Sequence, residues 1–289
     1  AGIDITLFWK CAYVKGVSDL AFNPFYLLRL ASIYAKDNDL PPKNQLMDRL
    51  IAETFNVDDQ KFSGELDERY VELFSSLESL AVAMQLMHRQ SLDDRDEYQT
   101  LISTSGRELI KKSGLLKRES TGWKFSHNNF REYLAAKYLS RLPKDYVTPI
   151  FYNGTNIQPY WVNTLGYLTG FNLGWNLIEW LAENSPSALV KFEPDRLNEE
   201  LRIEVFKRIF DKFETLRLHL NDDLCDTSEL AHFVKSNEIL SFLLDRISTP
   251  RHYVSQYTAL NLLRNYPSLF DKKNVVREIL LDCCEQYPA

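Results

Sequence analysis

The sequence predicts a mainly α-helical protein with one short β-hairpin: a helical domain plus a winged-helix domain, followed by an α-solenoid-like helical region. Three observations predict it. Apolar residues recur at helical spacing along most of the 289 residues, the pattern of amphipathic helices. Only 10 glycines are present, few for a chain built on tight turns. One stretch, Leu115 to Ser126, alternates around Ser120-Thr121-Gly122 as a hairpin does, then runs straight into a helical pattern. The domains are expected at 1–62, 63–142 and 143–289.

The chain opens at Ala1-Gly2, which leads us to expect processing or a cut with a segment upstream. Residues 3–14 (Ile3, Ile5, Leu7, Phe8, Trp9, Tyr13, Val14) suit either a strand or a short helix. Asn23-Pro24-Phe25 starts a helix, because proline is tolerated in a first turn and Asn23 can cap it. Its stripe is Phe25, Leu27, Leu28, Leu30, Ala31 and Tyr34. Leu40-Pro41-Pro42 leads into a second helix, Lys43 to Phe55. A long amphipathic helix over 65–89 would bury Tyr70, Leu73, Leu77, Met84 and Met87 among others. Asp93–Ser103 and Ser105–Ser113 give two shorter helices, the second stopped by a left-handed Gly114.

The hairpin pairs Leu115–Arg118 with Trp123–Ser126. The next helix shows one apolar face in Phe130, Tyr133, Leu134, Tyr138 and Leu139, with His127 at the junction and Asn128 or Asn129 available as cap. Helix, helix, hairpin, helix is winged-helix order. Pro143, Pro149, Asn153-Gly154 and Pro159 then mark a boundary. Beyond it come helices at Glu199–Leu218, Glu238–Ile247, Val254–Asn265 and Lys273–Tyr287, the last two resembling a HEAT-type pair. Gly166, Gly170 and Gly174 would let helices approach closely.

Several chemistries find no support. No apolar run approaches the roughly 18 residues of a membrane span, and no basic-then-apolar leader opens the chain, so a cytoplasmic protein is expected. Cys11, Cys225, Cys283 and Cys284 are too scattered for a disulfide framework. Cys283 and Cys284, if helical, point about 100° apart. No two glycines stand five apart, so the phosphate-cradling G-x-x-x-x-G-K-[ST] loop is missing from these residues. The histidines (88, 127, 219, 232, 252) have no His or Cys partner at metal-ligand spacing, and no G-x-S-x-G elbow occurs. Asp93-Asp94, Glu199-Glu200 and Asp222-Asp223 fall at helix starts or turns, where solvated caps explain them. No enzyme is expected in this chain alone, and no metal.

Charge is uneven. Residues 107–131 hold seven basic against two acidic side chains, so they carry +5 of a net −6 and leave −11 to the remainder. This basic segment motivates one reading as a winged-helix DNA-binding regulator with a helical partner-binding region. Arg107, Lys111, Lys112, Lys117, Arg118 and Lys124 would then face phosphates, with the Ser105–Ser113 helix in the major groove. The acidic remainder opposes a duplex, so DNA is the less expected partner.

The other reading comes from a resemblance. Phe125-Ser126-His127, two residues, Phe130, then Glu132-Tyr133-Leu134-Ala135-Ala136 resembles the end of the winged-helix domain in NACHT-type signalling ATPases of the STAND class. Asn23-Pro24-Phe25, a leucine-rich helix, Leu40-Pro41 and a second helix resemble the small helical domain that follows their nucleotide-binding domain. The resemblance implies that His127 reaches the phosphates of a bound ADP and that Pro24 lies against the adenine. It implies that ADP or ATP binds only together with an upstream ATPase domain, which carries the P-loop and the magnesium-binding acidic residues. It further implies a regulatory and sensor role. The ADP state is held inactive, a protein or other ligand is sensed at the helical repeats, and activation brings homo-oligomerisation, in defence signalling that includes antiviral defence.

Overall fold

A computed structural model describes residues 3–61, 65–93, 101–119, 122–192, 196–220, 223–269 and 272–286, with the backbone alone given for 56–61, 65–66 and 284–286. The chain divides into two units, Ala1–Leu177 and Ile178–Ala289. It is mainly helical, and among the described residues a single two-stranded antiparallel sheet interrupts the helices.

In the first unit, helix α1 (Ile5–Val14) settles the choice between strand and helix. Asp4 caps it, its carboxylate accepting from the N–H groups of Thr6 (2.9 Å) and Leu7 (3.1 Å). Only Phe8 and Ala12 are buried, four residues apart on one face. In α2 (Pro24–Asp37) the Asn23 side chain accepts from Phe25 N–H at 3.0 Å, as expected, and the helix ends on left-handed Asn38. The buried face is Tyr26, Leu30, Ile33 and Tyr34, which leaves Leu28, expected in the stripe, 72% exposed. Helix α3 (Lys43–Lys61) runs on past Phe55.

The single helix expected over 65–89 is divided. α4 (Glu65–Glu68) stops before Arg69, whose φ of −117° and ψ of 24° depart from helical values, and α5 (Tyr70–Leu86) follows. Tyr70, which follows that break, and Met87, the C-cap of α5, are half-exposed rather than core. The helix expected at Asp93–Ser103 falls largely on residues 94–100, which lie outside the described residues, as do Asp222 and the Ser120-Thr121 turn. α6 (Thr104–Lys112) is capped by the Ser103 hydroxyl on Gly106 N–H at 3.0 Å. It ends on an extended Ser113, whose hydroxyl accepts from Leu115 N–H (3.2 Å), so Gly114 is not the left-handed stop expected of it.

Strands β1 (Leu116–Glu119) and β2 (Gly122–Phe125) pair with Lys117 opposite Lys124 and Arg118 opposite Trp123. Leu92 adds a one-residue third strand, exchanging two 2.9 Å backbone bonds with Trp123. That approach demands glycine at 122, where φ is +131°. Helix α7 (Asn128–Leu139) is buried nearly all round, including Arg131 and Glu132, because it packs against α3, α5 and β2 as well as the later α9. α8 (Lys144–Phe151), a 3₁₀ turn at Pro159–Trp161 and α9 (Val162–Leu168) complete the unit. Of the three spaced glycines only Gly170 shows a close approach, since a Cβ there would lie 2.5 Å from the Asn44 amide, while Gly166 and Gly174 face open space.

The second unit holds α10 (Leu177–Asn184), α11 (Pro186–Leu189), α12 (Glu199–Leu216), α13 (Thr227–Phe233), α14 (Asn237–Ser248), α15 (Tyr253–Asn265) and α16 (Lys273–Gln286). α15 packs on α13 and α14, and α16 on α14, so the two helices expected to form a HEAT-type pair, α15 and α16, rest mainly on other helices. Glu199 and Glu200 occupy the first turn of α12, where acidic side chains favour the helix dipole. α13 begins with a capping box between Asp226 and Glu229. Among the described residues no helix is long and apolar enough to cross a membrane.

Candidate functional site

His127 occupies the N-cap of α7, a position the sequence assigned to Asn128 or Asn129, and its imidazole makes no capping bond. The ring is held instead by aromatic contacts. It stacks on Phe25 with centroids 4.3 Å apart and planes 27° off parallel, tilts against Tyr26 at 5.2 Å, and meets Phe130 edge-on at 5.7 Å. Phe25 and Tyr26 come from the first turn of α2, about a hundred residues earlier. The N-termini of α2 and α7 therefore meet at one place.

Between them lies a cavity of about 410 Å³ whose polar lining includes Asn23, Lys124, Ser126, His127, Asn128 and Asn129. No acidic residue lines it among the described residues. Lys117 stands opposite Lys124 in the hairpin, and directly opposed residues share a face, so it adds positive charge on the same side. Burial pushes His127 below its ordinary pKa of 6.5, and the positive charge of Lys117 pushes the same way. Helix N-termini present N–H groups and the positive end of the dipole, so this arrangement is suited to an anion.

Pro24 is exposed as the first residue of α2, flanked by the Asn23 and Phe25 that face His127, and does not itself line the cavity. The structure thus brings Asn23 and Phe25, on either side of Pro24, to His127, while Pro24 itself stays outside the cavity.

The six basic residues of the DNA reading do not share one face. Lys117 and Lys124 oppose each other on one side of the hairpin, whereas Arg118 opposes Trp123 on the other and lies 5.9 Å from its ring. Lys124 also pairs with Glu119. Arg107, on α6, donates to the Thr104 hydroxyl at 2.8 Å, and Lys111 and Lys112 occupy that helix's last turn.

Sequence reasoning did not find Tyr26, the stacked role of Phe25, or Gln90, which lines the cavity from the chain leaving α5. Phe25 and Tyr26 flank the cap motif and so were within reach. Gln90 lies in an irregular segment and carries no periodic signal. No protein-family model and no curated protein matches the sequence.

Proposed function

We propose that this chain is the regulatory portion of a NACHT-type nucleotide switch, in which His127 and Lys124, at the joined N-termini of α2 and α7, grip the phosphates of an ADP held mainly by an upstream ATPase domain. The observation that carries this reading is that Asn23, Tyr26 and His127, from the N-termini of α2 and α7, line one cavity free of acidic lining among the described residues, with Phe25 stacked on His127. Each imidazole–phosphate hydrogen bond is charge-assisted and worth roughly 1.5–3 kcal/mol. That biases a two-state arrangement by about ten- to a hundredfold.

In this reading ADP closes the winged helix onto the ATPase domain, and its replacement by ATP releases α7 with the hairpin as a rigid body. The helices of the second unit carry ligand sensing, the released surface oligomerises, and defence signalling is the setting. In the protein expressed with its upstream ATPase domain, His127→Ala is expected to shorten ADP retention about tenfold and raise basal activity. Retention equal to the parent's, with no rise in activity, would sink the reading. The DNA alternative is favoured only by the basic wing, and its split faces and the acidic remainder weigh against it. Random duplex DNA is expected not to bind at ~50 mM salt, where phosphate contacts are strongest.

A further inference from the structure

A second cavity, of about 420 Å³, lies on the other side of Asn128 and Gln90, within the volume range of small-molecule sites, roughly 300–1,000 Å³. Three segments wall it: the end of α5 with His88 and Arg89, the first turns of α7 with Arg131 and Glu132, and the 3₁₀ turn into α9 with Tyr160 and Asn163.

The two α7 residues are unusual. Arg131 is only 9% exposed and Glu132 only 8%, although neighbouring charged residues on a helix ordinarily face water. The Arg131 guanidinium donates to the Arg89 carbonyl at 3.1 Å, and its buried Nε has no hydrogen-bond partner. Burial raises the Glu132 carboxyl above the usual carboxylate range, against the opposing pull of Arg131, the Asn163 amide and Lys43, with Asp19 adding to the rise. His88 holds a left-handed φ of 55°, and its ring lies 3.5 Å from that of Tyr160. That left-handed residue ends α5 as a helix C-terminal cap does, with the Arg89 N–H donating to the Met84 carbonyl at 3.0 Å.

These groups divide by chemistry. The guanidinium of Arg131, with Arg89 at the rim, matches the oxygens of a phosphate. Glu132 can accept from hydroxyls, and the Asn163 and Gln90 amides can both donate and accept. The His88 and Tyr160 rings, their planes 52° apart, offer an aromatic edge for a sugar ring or a base. We propose that this second cavity binds a sugar phosphate, free or as part of a mononucleotide, independently of the His127 cavity.

The test is calorimetric titration of the chain with ribose 5-phosphate, AMP and inorganic phosphate. Ribose 5-phosphate is expected to bind with Kd of about 1 mM or tighter, and inorganic phosphate at least about tenfold more weakly. A tighter AMP would support a mononucleotide source, and a weaker AMP a free sugar phosphate. Asn163→Leu, at an exposed rim position, and Glu132→Gln, which keeps the shape, should each weaken ribose 5-phosphate about tenfold with unchanged thermal melts. His127→Ala should leave it within about twofold.

No heat up to about 10 mM ribose 5-phosphate would overturn the proposal. So would inorganic phosphate binding as tightly as the sugar phosphate, or binding lost in His127→Ala and kept in both Asn163→Leu and Glu132→Gln. The last result would move the ligand to the first cavity and leave the proposed phosphate grip intact. Loss of that grip alone, with ribose 5-phosphate still bound, would leave this inference standing.

Discussion

Replacing Gly122 by alanine is expected to cost about 3 kcal/mol or more and to open the third strand of the wing. Two effects add. A φ of +131° is accessible to glycine and strained for any residue with a Cβ, at about 1–3 kcal/mol. The new Cβ would also sit 1.9 Å from the Leu92 carbonyl oxygen and 2.7 Å from its carbon, which are backbone atoms with no rotamer to change. Relief requires Leu92 to withdraw from Trp123, giving up two 2.9 Å hydrogen bonds worth about 0.5–1.5 kcal/mol each. Urea denaturation reads the loss, and faster hydrogen exchange at the Leu92 and Trp123 amides locates it. A variant as stable as the parent, with both amides still protected, would contradict this account of the wing.

Arg141→Ala is expected to destabilise the first unit by about 1–3 kcal/mol, the cost of leaving a buried acceptor without its partner. Glu78 on α5 is 2% exposed and receives both terminal nitrogens of Arg141 at 2.7 Å, a bidentate clamp just beyond the end of α7. The arginine side chain is 57% exposed, so its own attraction is screened by solvent. The penalty arises because the carboxylate stays buried with its partner gone. The double variant Glu78→Leu with Arg141→Ala should therefore recover most of the loss, since apolar replacement of both members of such a pair is often neutral. If the double variant fell further than Arg141→Ala, the clamp would be contributing more than charge compensation.

Features set by local chemistry were readable from the sequence. Asn23 before Pro24 caps α2, as its side-chain chemistry dictates. The hairpin, its passage into α7 and the helices α12, α14, α15 and α16 follow from alternation and period, whereas the short α13 was not read. What the sequence did not reveal depends on neighbours. Arg131 and Glu132 lie outside the apolar face read from the sequence, and are buried because α5, the 3₁₀ turn and α9 pack around α7. Leu92 is a strand of one residue, with no pattern to detect. The break at Arg69 accompanies an arginine bonded to Glu72 at 2.8 Å, a contact set by side-chain geometry. His127 was singled out by its position, but its stack on Phe25 exists only because α2 folds back to the root of the wing.

The titration of His127 itself, followed by its ring proton resonances in NMR with and without pyrophosphate, tests the phosphate grip most directly. Without an anion the pKa should lie below the ordinary 6.5, so that the ring is neutral at pH 7 and its burial costs stability only as pH falls through that range. Pyrophosphate favours the charged ring, so it should raise the pKa, bind more tightly at pH 6 than at pH 8, and lose that pH dependence in His127→Ala. A His127 pKa unmoved by saturating pyrophosphate would contradict the account.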